Sequence, residues 1–236
     1  TSGGAVTVTT PLNDTHNAWD YDSANLMLEE DPDSEGGWQR PSNVVLNHDF
    51  ADLGSEQVTN GDFATDSDWD YADFTIINGT ATVTTDGGNQ YISQQNLWSN
   101  NAKDGKFLKL SWDILENSDS IQLKIGGYSG ADIVSGTTSL TSTVGSHYIY
   151  LEVNGAGDAD RLLLWLSHTA GKTLTIDNVS VKQIDPNDRW TRSAEWTISE
   201  GKATCSGGAS KTLYQSSILP LGTLYEITFT VSSFTS

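Results

Sequence analysis

Four stretches of this 236-residue chain alternate apolar and polar residues with a period of two. Leu108, Leu110, Trp112 and Ile114 share one face of an extended strand. Ile121, Leu123 and Ile125 do the same, then Ile149, Leu151 and Val153, then Leu162, Leu164 and Leu166. A helix needs apolar residues three or four positions apart, and that spacing is almost absent. Phe74 and Ile76 on one side, and Ala81 and Val83 on the other, flank Asn78-Gly79, a pair suited to a tight hairpin turn. The 22 glycines, with abundant Ser, Thr, Asn and Asp, supply further turns, and 8 tryptophans can fill a core. Roughly seven to nine short strands at this spacing imply two sheets packed face to face. The expected class is all-β.

The chain then repeats itself. Phe74, Ile76, Gly79 and Ala81 recur at one constant offset as Trp196, Ile198, Gly201 and Ala203. Leu108, Leu110 and Trp112 recur, after a short deletion, as Tyr225, Ile227 and Phe229. A repeat at this spacing predicts tandem modules. The expected division is an extended N-terminal arm over 1–43, a first β-sandwich domain over 44–184, and a second, incomplete repeat over 185–236. The second repeat lacks a counterpart of Ile121 to Val181. Half a sandwich exposes an apolar face and strand edges. It is therefore expected to be completed by another chain or by continuation of the polypeptide. Asn47-His-Asp-Phe50 echoes Asn60-Gly-Asp-Phe63 and reads as a lead-in to the first module.

Composition narrows the partners. The formal net charge is -19, which repels a phosphate backbone and an anionic membrane surface, so neither nucleic acid nor membrane is an expected partner. The longest apolar run, Leu162 to Leu166, is too short for a membrane-spanning helix. The single cysteine, Cys205, permits no disulfide framework and reads as a small core residue. His16, His48, His147 and His168 lie in unrelated segments without metal-ligand spacing. Ala170-Gly-Lys-Thr173 has Leu166 where a phosphate loop needs its first glycine, and no nucleophile elbow is present. No enzyme activity is expected. The arm carries Trp19, Tyr21, Met27 and Trp38 beside the acidic run Glu29 to Gly37, too apolar for a plain linker, and is read as a docking segment.

Asn60-Gly-Asp-Phe63 with Trp69, closing on Ile176-Asp-Asn-Val-Ser-Val181, resembles the jelly-roll carbohydrate-binding modules appended to polysaccharide hydrolases. The fuller phrasing runs from Leu53 to Trp69, then Asp185-Pro-Asn-Asp-Arg-Trp190 and Trp196 to Ala203. It is similar to tandem modules of marine phage virion proteins of the tail, fibre and head-decoration kinds. That resemblance implies tandem jelly-roll modules on a virion surface. The arm would join them to other virion proteins of capsid or tail, in a homo-oligomer. The alternative is a carbohydrate-binding region of a secreted hydrolase or adhesin. It also implies a structural calcium tying first strand to last. Here Ala64 stands where the pattern often has Glu, which leaves Asp62, Asp66 and Asp177 as the candidate ligands.

Sugar binding needs an aromatic platform for the C–H face of the ring, with polar groups beside it. If Leu162, Leu164 and Leu166 face the core, Trp165 faces out. Tyr148 and Tyr150 face out beside Ile149 and Leu151, as do Gln122 and Lys124. The expected glycan site combines Trp165, Tyr148, Tyr150, Gln122 and Lys124 on one sheet. The competing reading is that these aromatics pack against a neighbouring subunit.

Overall fold

The computed structural model describes residues 5–8, 45–98, 103, 105–155, 159–219 and 227–232. Among them there is no helix. The strands are β1 (Ala5–Val8), β2 (Leu53–Glu56), β3 (Asp70–Ala72), β4 (Phe74–Ile77), β5 (Thr80–Thr84), β6 (Asn89–Gln94), β7 (Phe107–Asn117), β8 (Lys124–Ile125) and β9 (Thr138–Ser139). They continue as β10 (Gly145–Glu152), β11 (Leu162–Ser167), β12 (Thr173–Ile184), β13 (Thr191–Arg192), β14 (Trp196–Ser199), β15 (Lys202–Cys205), β16 (Leu213–Tyr214) and β17 (Ile227–Thr230).

Two antiparallel sheets make a β-sandwich. One runs β10-β7-β12-β5-β4, with β2 also on β12; the other runs β3-β6-β11-β8-β9. The alternation read from sequence decides which side chains meet between them. Leu108, Leu110, Trp112 and Ile114 of β7 are buried, as are Leu162, Leu164 and Leu166 of β11 and Leu174, Ile176, Val179 and Val181 of β12. Phe74, Ile76, Ala81 and Val83 join the same core from the β4–β5 hairpin. Burying a large apolar side chain contributes about 1.5–3 kcal/mol, so this layer dominates the stability of the sandwich.

The two ends of the sandwich meet. Val179 donates its N–H to the Gly61 carbonyl (2.8 Å), and Gln57 donates to Val181 (2.9 Å). The register of β12 on β7 shifts between Asp177 and Ser180, which makes a bulge with Asn178 in the left-handed region. Gly61 packs against this bulge so closely that a Cβ would lie 2.0 Å from the Val179 carbonyl oxygen, so only glycine fits. Glu56 seals the junction by accepting from the Val181 and Val58 amides.

Two compact units partition the chain: Leu46–Gln215, and Thr1–Val45 with Ser216–Ser236. These divisions differ from the sequence boundaries at 43/44 and 184/185. The reason lies in the larger unit, where an apolar cluster of Phe107, Ile184 and Ile198, with Phe50, Tyr150, Trp190 and Ala203, crosses the 184/185 boundary. In the smaller unit, β1 pairs antiparallel with β17. The remainder of the expected arm, 1–4 and 9–43, lies outside the described residues.

Candidate functional site

A single row of residues crosses the outer face of the five-stranded sheet. Strand pairing sets Ala72 beside Tyr91, Tyr91 beside Trp165, Trp165 beside Lys124, and Lys124 beside Ser139. Because the even-numbered leucines of β11 are buried inside, Trp165 is turned to the opposite face and stays partly exposed. Its indole is fixed: Nε1 donates to the Gly126 carbonyl at 2.9 Å. Gly126 has φ +67°, and a Cβ there would come within 2.5 Å of the Val134 carbonyl oxygen, so the acceptor sits on backbone that tolerates only glycine. The Lys124 ammonium stands 4.5 Å from the centre of the Trp165 ring.

One end of the row is flanked by a pinned loop. Asp132 is fully buried and accepts from Arg161 Nε (2.7 Å) and from the Tyr128 and Ser129 amides (2.8 and 2.9 Å). Arg161 also forms an ion pair with Asp132 at 2.6 Å. This pair, with its remaining acceptor sites filled by amides, holds the segment between β8 and β9 against β11. The Arg161 guanidinium lies 5.6 Å from the Tyr128 ring, which is 79% exposed. An aromatic plate bordered by a lysine, with an exposed tyrosine on the adjoining loop and an arginine just before β11, is chemically equipped to stack a sugar ring and donate to its oxygens.

The five residues expected to share one sheet are split. Trp165 and Lys124 are neighbours, but Tyr148 and Tyr150 belong to the other sheet, because β10 pairs with β7: Tyr148 faces Ser111 and Tyr150 faces Lys109. Alternation reveals which face a side chain takes and not which sheet its strand joins. Tyr148 is 54% exposed, meets Tyr150 edge-on at 5.7 Å, and has the Lys109 ammonium 4.9 Å from its ring. Tyr150 is packed against the apolar cluster of Phe107, Ile184 and Ile198. Gln122 precedes β8, and its Nε2 donates to the Leu140 and Leu123 carbonyls (2.5 and 3.1 Å), tying two backbone segments together at the edge of an open cleft.

Of the candidate calcium ligands, Asp62 and Asp177 lie close enough for their charges to act on each other, whereas Asp66 turns to Tyr71. Asp66 accepts from the Tyr71 hydroxyl at 2.8 Å, and this bond raises the Tyr71 pKa. Asp177 is held above the usual carboxylate range, first by burial and then by the charges of Asp113 and Asp62; the Asn178 amide offsets part of this. Asp113 faces Asp177 across β7 and β12 and is pulled down by hydrogen bonds from the Ser146 and Asn178 side chains. Among the described residues, no group of three or more His, Cys, Asp or Glu side chains is arranged to hold a metal ion.

Sequence reasoning missed Tyr91, Arg161, Tyr128 and Asp113. Tyr91 was legible as an aromatic beside Ile92, but its place next to Trp165 depends on β6–β11 pairing across many intervening residues. Asp113 carries a weak local signal, being the outward residue after buried Trp112.

No family model matches the chain. No curated protein matches it in sequence. Solved structures do match. A family 29 carbohydrate-binding module from Piromyces equi is 17% identical, with 52% of this chain and 85% of that one covered and a TM-score of 0.34. A CBM4 module is 15% identical, with 59% and 99% covered and a TM-score of 0.31. An exo-beta-agarase is 16% identical, with 56% of this chain and 25% of the agarase chain covered and a TM-score of 0.36. At these scores no residue or ligand is carried over, and the site described above stands on this chain's own geometry.

Proposed function

We propose that this chain is a non-catalytic glycan-binding β-sandwich protein whose contact surface is the Tyr91–Trp165–Lys124 row. The observation that carries the reading is the fixed Trp165 indole, aligned between a tyrosine and a lysine on one outer face. A pyranose presents C–H groups that pack on such a ring, while its hydroxyls or carboxylate take hydrogen bonds from flanking donors. Lys124 lies over the ring, so a sugar must move the ammonium aside and then has it at its edge.

The sequence likeness to tandem modules of phage virion proteins supports a setting for this surface. It is the exterior of a particle, as a decoration, fibre or tail component, where it contacts host glycans. Carriage by a secreted hydrolase or adhesin is the alternative setting. The first test is binding of the intact chain to an array of neutral and acidic polysaccharides, followed by calorimetry on any hit. Binding lost in Trp165→Ala supports the proposal. Wild-type protein that binds none of them, or a variant that binds equally well, overturns it.

A further inference from the structure

The opening turn of the first module exists twice. Asn60 and Phe63 have φ of 52° and 48°; Asn47 and Phe50 have 49° and 53°. Phe63 donates its N–H to the Asn60 carbonyl (3.1 Å), as Phe50 does to Asn47 (3.2 Å). The Asn60 side-chain oxygen accepts from the Thr65 amide (3.2 Å), and that of Asn47 from the Asp52 amide (3.0 Å). Asp62 accepts from the Ala64 amide (3.4 Å), and Asp49 from the Ala51 amide (3.3 Å).

The tryptophan that completes each turn differs in origin. Trp69 Nε1 donates to the Asn60 carbonyl at 2.9 Å, and its ring lies 5.2 Å from Phe63 at 40°. For the other turn this partner is Trp190, which donates to the Asn47 carbonyl at 2.9 Å and lies 5.0 Å from Phe50 at 37°. Trp190 comes after the whole first module. It is followed by the β14–β15 hairpin, in which Ile198 faces Ala203 as Ile76 faces Ala81 in β4–β5. A Cβ on Gly79 would face the Asp62 carbonyl, and one on Gly201 the Asp49 carbonyl.

A second correspondence lies in the smaller unit. On β7, the closing strand sets Val181 beside Leu110 and Ser180 beside Ser111. On β17, β1 sets Val8 beside Ile227 and Thr7 beside Thr228. The internal repeat aligns Leu110 with Ile227, and Val6-Thr-Val8 reads like Val179-Ser-Val181. So β1 holds the register on β17 that β12 holds on β7. The first module also enters and leaves at one place: Leu53 pairs with Ile184, and Asp185 donates to the Asp52 carbonyl at 3.1 Å. Adjacent ends are what an inserted domain requires.

We infer that the opening of the second repeat is split by the first module, with Asn47–Asp52 before it and Trp190 and the β14–β15 hairpin after it, and that Ala5–Val8 is a closing strand for β17, in the register that β12 holds on β7. The edge of β17 is thus a strand-accepting surface, and its occupant is this chain's own Ala5–Val8.

Directly opposed residues of antiparallel strands have Cα atoms about 4.5–5.5 Å apart, within disulfide range. The test uses the full chain with Cys205→Ser, Thr7→Cys and Thr228→Cys, oxidised and run on a non-reducing gel. The expected result is an intrachain disulfide in a monomeric band, at least tenfold more abundant than for the shifted pair Val6→Cys with Thr228→Cys. Disulfide-linked dimers alone would mean that the strand comes from a second copy, and that or no cross-link overturns the inference. A second measurement needs no cysteine: hydrogen exchange of Ile227–Thr230 should accelerate at least tenfold when residues 1–10 are removed, with β7 unaffected. Unchanged protection overturns it as well.

Discussion

The Lys124 ammonium sits 4.5 Å from the centre of the Trp165 ring, on the neighbouring strand of the same sheet. That position couples the charge of a ligand to its stacking. Lys124→Met should leave affinity for a neutral saccharide within about twofold, and lower it for an acidic one at least tenfold, about 1.4 kcal/mol. Calorimetry on one neutral and one acidic ligand checks this. Equal losses for both would show that the lysine acts only by holding the indole.

Trp165→Phe separates platform from anchor. The variant keeps an aromatic face and lacks the donor to Gly126. Affinity should fall less than in Trp165→Ala, and the variant should lose about 1 kcal/mol of stability from the missing hydrogen bond. Denaturant titration beside binding data distinguishes the two effects.

Trp112 is nearly fully buried, and its Nε1 donates to the Thr141 carbonyl at 3.1 Å. Trp112→Ala should cost about 3–5 kcal/mol. Tyr148→Ala, at an exposed site, should change stability by no more than about 0.5 kcal/mol. Comparing their urea midpoints tests whether the buried face of β7 carries the fold.

Asp177 and Asp113 should titrate in opposite senses. Burial, then the charges of Asp113 and Asp62, raise the Asp177 pKa. The stability its protonated form contributes is fully present below its unfolded value and is lost as pH rises through the raised folded value. Asp177→Asn should therefore stabilise the protein at pH 7, by about 0.5 kcal/mol after allowing for solvent screening, with the advantage fading in acid. Hydrogen bonds from Ser146 and Asn178 lower the Asp113 pKa. Its contribution is present above the unfolded value and is lost as pH falls through the lowered one, so Asp113→Ala should destabilise at pH 7 and matter less in acid. Thermal melts across the acid range read both.

Much of this fold was legible because period-two alternation reports burial directly. The buried runs of β7 and β11 and the two hairpins follow from it. Which strands become neighbours was not legible, because pairing partners lie far apart in sequence and alternation is silent about them. Tyr148 and Trp165 read as one site for that reason, although β10 joins β7 and β11 joins β6. The echo of Asn60–Phe63 in Asn47–Phe50 was visible as a pattern. That its tryptophan is Trp190 was not, because the contact joins residues 143 positions apart in sequence.

If the sandwich is inserted as inferred above, the side-by-side placement of Leu53 and Ile184 makes it a cassette. A cassette can be exchanged, lengthened or removed during evolution while its host keeps its own register, because the gap left behind spans no more than one strand pairing. Variation in what such proteins recognise can then accumulate in the cassette, and selection on the host frame need not follow it.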